Sequence, residues 1–363
     1  MGLTRKERLT AAYFHEEMDR PAVYTRTGYP GNDPTYDGLK ALMNAHSDLK
    51  ASVDTGYLDA AIPFDDRTEP HSEDFERYIV TYHMPKGDLE QTSLVSLKGQ
   101  PGLHETHLIK TREDVETYLS LPVPDPQGDM SRFADAEKEI GDAGIVDVNL
   151  GTNPGGFAAD LCGSENFAIM SVMDRDTVCR LMERRMNVLI NRLKYLLDHD
   201  IGPFFSMLGE EYIVPPLHGP QDFNDFNVKY DKPIIDLVHA AGGRIHIHSH
   251  GSVSTVLDGF LEMGTDVLHP FEPPTMGDIT PAQAKERVRG RCTIEGNIQI
   301  ADLYEKDPDY IRAHTEALIR DAFDDRKGLI VAPTASPYLR GRGEQCLPQY
   351  QAMVETVLGS KTG

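Results

Sequence analysis

From residue 142 onward, short apolar runs alternate with longer stretches in which apolar side chains recur every three or four positions. The first pattern is that of buried strands, the second that of helices with one face turned to a core. It predicts strands at 145–150, 203–208, 244–248, 266–268, 291–294 and 328–332. Helices are predicted at 174–199, 223–241, 252–263, 281–289, 308–323 and 345–357. Thr280-Pro281 and Asp307-Pro308 each place a capping oxygen before a proline at the first helical position, and Gly242, Gly264 and Gly290 follow helix ends as left-handed caps. Strict alternation of this kind is the signature of βαβ units and a parallel sheet.

The first 141 residues are less regular. Thr4 and Glu7 form a capping-box pattern that opens a helix at 4–14, closed by Asp19-Arg20-Pro21. A strand at 21–25 leads into a Gly/Pro/Asn-rich loop at 28–34 and a helix at 36–46. Residues 77–83, continuing through 92–97, are β-like, and a Pro-rich connector covers 121–127. The later strands, the one at 21–25 and one from the 77–97 region make eight, which favours a single (β/α)8 TIM barrel over residues 1–363, with N-terminal insertions, over a doubly wound sheet.

Composition narrows the function. The 363-residue chain is 39% hydrophobic and carries a formal charge of −22, so nucleic acid and anionic membrane surfaces would repel its bulk. Cys162, Cys179, Cys292 and Cys346 are scattered without a C-x-x-C pair, as in a reducing compartment. No apolar leader or run of about 18 apolar residues occurs, and a cytoplasmic protein is expected.

Candidate chemistry centres on residues 242–251. On a strand, Ile245 and Ile247 share one face while Arg244, His246, His248 and His250 share the other. Imidazole titrates near neutrality and is the commonest metal ligand, although a short histidine run is also found on solvated edge strands. In a barrel, functional residues sit at the C-terminal ends of strands. There lie Glu210, Glu211 and His218 after the strand at 203–208, and His250 after 244–248. His269 and Glu272 follow 266–268, and Glu295 and Asn297 follow 291–294. His248 and His250 with Glu210, Glu211 or Glu272 could complete a three-ligand zinc site, or the histidines could serve as acid, base or carboxylate binders. His246 is expected to pack inside the barrel. Arg26, after the first strand, and Arg340 and Arg342, after the last, are candidates to bind substrate anions, against the plainer reading of solvated loops.

These residues resemble a known family. The run TRKERLTAA from Thr4, Asp19-Arg20-Pro21, His248-Ser-His-Gly251, the phrase GTDV from Gly264 and Glu295-Gly-Asn297 are similar to the uroporphyrinogen decarboxylase superfamily. The likeness covers nearly the whole chain and is clearest from residue 200 onward. It implies a (β/α)8 barrel and either decarboxylation or zinc-dependent methyl transfer to a corrinoid protein or a thiol. His248-x-His250-Gly251 resembles the methyltransferase motif His-x-Cys-Gly with histidine in place of cysteine, and no thiol lies near Pro333–Ser336, where the second cysteine of that branch would fall. Imidazole and carboxylate in place of thiolates would leave zinc a stronger Lewis acid. Residues 24–30 resemble the decarboxylase's arginine-rich loop but keep one arginine of the pair, and its Gly-His-Gly after the last strand is absent. A divergent member is therefore expected, a zinc-dependent methyltransferase using His248 and His250, with Glu295 or His218 moving a proton and Asn297 orienting a small-molecule substrate. The alternatives are a metal-free decarboxylase built on Arg26 and a silent ligand-binding barrel. A homodimer is left open.

Overall fold

The structure is a computed structural model that describes residues 2–98 and 102–360. Eight parallel strands form its main sheet: β1 (Ala22–Val23), β2 (Leu49–Asp54), β3 (Gly144–Thr152), β4 (Phe204–Leu208), β5 (Arg244–His248), β6 (Val267–His269), β7 (Thr293–Ile298) and β8 (Leu329–Pro333). Neighbours pair in sequence order from β2 to β8, and β8 returns to β1. This is the (β/α)8 order, with helices between successive strands facing outward. Ile245 and Ile247 of β5 are fully buried against those helices, as the alternation requires.

Side chains close the seam between β1 and β2. The Asp48 amide donates to the Val23 carbonyl (2.7 Å), and the Asp48 carboxylate accepts from the Val23 amide (2.7 Å). The same carboxylate accepts from Arg8 (2.9 Å) and Arg20 (3.1 Å), and Asp48 is wholly buried. Arg8 belongs to the helix Arg5–Tyr13, which opens with the Thr4–Glu7 capping box and closes the bottom of the barrel. There Tyr13 packs edge-on against Phe204, and the Ala12 carbonyl accepts from Thr293 Oγ1 (2.6 Å).

The eighth ring strand is not the one expected within 77–97. That region joins a separate antiparallel sheet of the strands Phe64–Pro70, Phe75–Met84, Gly87–Ser96 and Leu103–Thr106. Its two-residue turn pairs Met84 with Gly87, whose φ of +139° suits glycine, so the flanking strands must run antiparallel. The place in the ring belongs to β2, whose polar Lys50, Ser52 and Asp54 hide it from an apolar pattern. β7 also extends beyond the predicted 291–294, so Glu295 and Asn297 lie within the strand and not after it. The helix expected at 223–241 begins earlier, at Pro220, and passes through a wider π turn at Asn224–Val228 before Lys229–Ala240. Among the described residues no helix is long and apolar enough to cross a membrane.

Removing Asp48 takes a shared carboxylate from two buried guanidiniums, leaving Arg8 to Asp19 and Arg20 to the Pro21 carbonyl, and leaves the Val23 amide without its acceptor. Asp48→Ala is expected to lower the unfolding free energy by about 3–5 kcal/mol, read from the midpoint of urea denaturation; an unchanged midpoint would show that the seam closes without it.

Candidate active site

The C-terminal ends of the strands surround a cavity of about 610 Å³. Its floor is charged. Lys50 of β2 reaches across the barrel to Glu295 of β7, both side chains almost fully buried, and the Lys50 ammonium lies 5.3 Å and 5.1 Å from the ring centres of Tyr13 and Tyr24. Burial pushes the Glu295 carboxyl up, but Lys50 and then His246 outweigh it and hold the group well below the usual carboxylate range. Glu295 is thus an ionised acceptor, unable to supply a proton near neutrality. Asp147 and Asn149 of β3, Ser52 of β2 and Ser206 of β4 complete the polar wall.

The histidines above this floor are ordered by what each partner can accept. The Pro333 carbonyl, 3.0 Å from His269 Nε2, can only accept, so His269 carries its proton on Nε2. His269 Nδ1 is then a lone pair, and the 2.8 Å contact with His248 Nδ1 is a hydrogen bond donated by His248. The two ring planes lie within 19° of each other with centres 4.9 Å apart, the edge-to-edge geometry such a bond requires. His248 Nε2 is therefore a lone pair. His250 Nδ1 donates in the same way to Glu272 Oε1 (3.1 Å), whose other oxygen accepts from the Gly251 amide (2.8 Å), and Nε2 takes no part in this pair. Burial first, then the Arg26 guanidinium, pushes His248 down to about 2 and His269 well below the ordinary imidazole range.

Arg26, in the left-handed region at φ +59°, lies with Nη1 3.2–3.3 Å from the His269 ring nitrogens and Nε 3.3 Å from Ser336 Oγ. No carboxylate pairs with it among the described residues, so its positive charge faces the mouth.

Of the expected site residues, Arg26, Glu211, His248, His250 and Glu295 line the cavity, with His269 and Glu272 directly behind the two histidines. His246 is buried inside the barrel as expected, and it lines the cavity as well; its Nε2 lies 3.5 Å from Glu295. The others lie elsewhere. Glu210 turns outward beneath the π turn, its carboxylate buried beside Asp231 without a hydrogen-bond partner. Burial first, then its like-charged neighbour, raises Glu210 well above the usual range, so the pair retains a proton. His218 packs edge-on against Phe167 and Phe226, outside the barrel. Asn297 is only 1% exposed and faces His314 (3.4 Å) on an outer helix. Arg340 and Arg342 are exposed and bond the Gly31 carbonyl and Gln345, so neither reaches the mouth. Sequence reasoning missed Lys50, Ser52 and Asp147; their signal was polar alternation along β2 and β3.

His248, His250 and Glu211 are donors of the kind a divalent ion prefers, and the two imidazoles have the outer hydrogen bonds that orient metal ligands. Among the described residues, however, no group of three or more His, Cys, Asp or Glu side chains is gathered as a ligand cluster. Glu211 turns one oxygen back to the Gly209 amide (3.2 Å), and Glu272 supports His250 from behind.

Fold and mouth together define the class: a (β/α)8 barrel with candidate chemistry on its C-terminal rim. The chain belongs to the uroporphyrinogen decarboxylase family, whose family model matches residues 102–337. Among solved structures it is similar to a methyltransferase from Methanosarcina mazei, with a TM-score of 0.61 and 16% identity over 97% of this chain and 99% of that one. It also matches a B12-independent methionine synthase from Shewanella sp. W3-18-1, with a TM-score of 0.43 and 11% identity over 77% and 74% of the two chains. A D-psicose 3-epimerase matches with a TM-score of 0.38 and 9% identity over 64% and 83%. No curated protein matches the sequence.

With its imidazole pKa pushed down to about 2, His248 is expected to remain a neutral Nδ1–H tautomer at pH 5 in long-range ¹H–¹⁵N spectra. Below an unfolded pKa of about 6.5, the unfolded chain takes up protons that the native His248 and His269 refuse, so their contribution lowers the unfolding free energy as pH falls. An imidazolium signal from His248 at pH 5 would contradict the proton assignment.

Proposed function

We propose that this chain is a group-transfer enzyme of its family, a metal-assisted methyltransferase acting on a small methylated substrate, with a corrinoid protein or a thiol as acceptor. The observation that carries the reading is the pair of imidazoles His248 and His250 on the cavity wall, each fixed through an Nδ1–H bond so that Nε2 is the nitrogen left outside the bond. An imidazole kept neutral by burial is a poor acid and a weak base, but a permanent ligand. His248, His250 and, after turning from Gly209, Glu211 would hold the ion. Zinc bound there supplies Lewis acidity for activating the acceptor or the methylated group. Arg26 orients an anionic group of the substrate. The Lys50–Glu295 pair keeps the floor charged, with Glu295 held ionised as an acceptor of hydrogen bonds. The likeness to the Methanosarcina mazei methyltransferase supports the fold on which this chemistry is arranged.

A second reading, metal-free decarboxylation, is favoured by Arg26 alone, a mouth cation without a carboxylate partner. There Arg26 binds the substrate carboxylate, and the Lys50 ammonium is the proton donor, because His248 and His269 stay neutral.

Methyl transfer from a panel of methylated amines, alcohols and thioethers to a thiol separates the two. The proposal expects turnover that a chelator abolishes and added zinc restores, and a KM raised about tenfold or more by Arg26→Met, about 1.4 kcal/mol or more of lost binding. Release of carbon dioxide that survives chelation and disappears in Arg26→Met would establish the second reading instead.

A further inference from the structure

Outside the mouth, a second cavity of about 450 Å³ opens between the antiparallel sheet and the helix Arg175–Asp198. It shares no lining residue with the mouth. Its walls are largely apolar and aromatic, with Ile62, Leu121, Val188, Tyr118 and Phe157 among them, and two arginines, Arg184 and Arg185, stand in that wall.

The arginines are held by rings and carbonyls and not by acids. The Arg184 guanidinium lies 5.0 Å from the Tyr118 ring centre and donates to the Pro122 carbonyl (2.8 Å), while its Nε is buried without a partner. The Arg185 guanidinium lies 4.5 Å from the Phe157 ring centre, and its Nε and Nη2 donate to the Thr152 carbonyl (3.0 and 2.9 Å), leaving Nη1 unbonded. Neither forms an ion pair among the described residues. Asp59 is the one carboxylate in the wall; its Oδ2 pairs with Arg192, its Oδ1 is buried without a hydrogen bond, and it attracts Arg185 only through space, while His83 is bridged by Asp65 and Asp88. A chain of formal charge −22 has acids to spare, so two guanidiniums in an aromatic cleft without an ion-pair partner mark a place where the anion comes from outside. Arg185 is accordingly pushed down to about 10, first by burial and then by Arg192.

We infer that this cleft is a second ligand site, for a small carboxylic acid with an apolar or aromatic body, its carboxylate between Arg184 and Arg185 and its body against Tyr118 and Phe157. A guanidinium already oriented by a ring and a carbonyl forks onto a carboxylate with little ordering left to do. The inference is independent of the chemistry at the mouth.

Titration calorimetry of the full chain with 4-phenylbutyrate tests it. Saturable binding of one molecule per chain is expected, weakened about tenfold or more in Arg184→Met and for the neutral amide 4-phenylbutanamide, and unchanged in Arg26→Met. Arg184 is the variant of choice because its one hydrogen bond goes to an exposed connector, whereas Arg185 ties down the end of β3. Ala61→Leu, which narrows the exposed opening of the cleft, should also weaken binding and guards against a folding defect in the arginine variant. Absence of saturable binding, equal binding by Arg184→Met and Ala61→Leu, or loss in Arg26→Met would each overturn the assignment.

Discussion

A main-chain carbonyl that can only accept a hydrogen bond decides the state of the mouth. Pro333 ends β8, and its oxygen fixes the proton of His269 on Nε2. That leaves His269 Nδ1 as an acceptor, fixes the proton of His248 on Nδ1, and points the His248 Nε2 lone pair away from all three groups. The order holds only while β8 and β6 keep their places in a closed ring. Closure in turn rests on Asp48, which joins the two ends of the sheet and, with Asp19, offsets the charges of Arg8 and Arg20 in a fully buried place. A backbone acceptor, two imidazoles and a buried aspartate thus form one chain of constraint from the seam to the site.

Electrostatics divide the barrel into unlike regions. The surface is strongly acidic overall, yet the mouth contains Arg26 and Lys50, and the neutral histidines lie between them. Lys50 and Glu295 offset one another at the floor, while Arg26 has no such partner. An anionic group entering the mouth meets at Arg26 a cation without an ion-pair partner, in a wall that also carries Asp147 and Glu211. A guanidinium without an ion-pair partner occurs again at Arg184 and Arg185.

The ring was largely legible in the sequence because parallel strands covered on both sides read as apolar runs, and five of the six strands predicted after residue 142 lie within two residues of their observed limits at both ends. β2 was not legible, since its inner residues Lys50 and Ser52 belong to the site and break the apolar pattern. The histidine face of β5 was legible from its period of two, and Glu272 was legible only as a polar residue near a strand end. That it stands behind His250 and not beside it depends on how the loop after β6 folds back on Gly251, which no local pattern encodes. Glu210 and Glu211 show the same limit. Adjacent in sequence, they diverge at a 3₁₀ turn, one into the helix layer beside Asp231 and the other into the mouth. The antiparallel sheet was legible as β structure but not as a separate layer, because alternation does not tell parallel from antiparallel pairing.

We propose that His248 and His250 present their Nε2 atoms to a divalent ion in this mouth. Elemental analysis of the protein purified without a metal-binding tag, and again after zinc loading and desalting, tests it most directly. About one zinc per chain is expected, lost in the His248→Ala, His250→Ala double variant, as for an open site with three protein ligands. Full zinc content in the double variant, or none in the loaded wild-type chain, would contradict it.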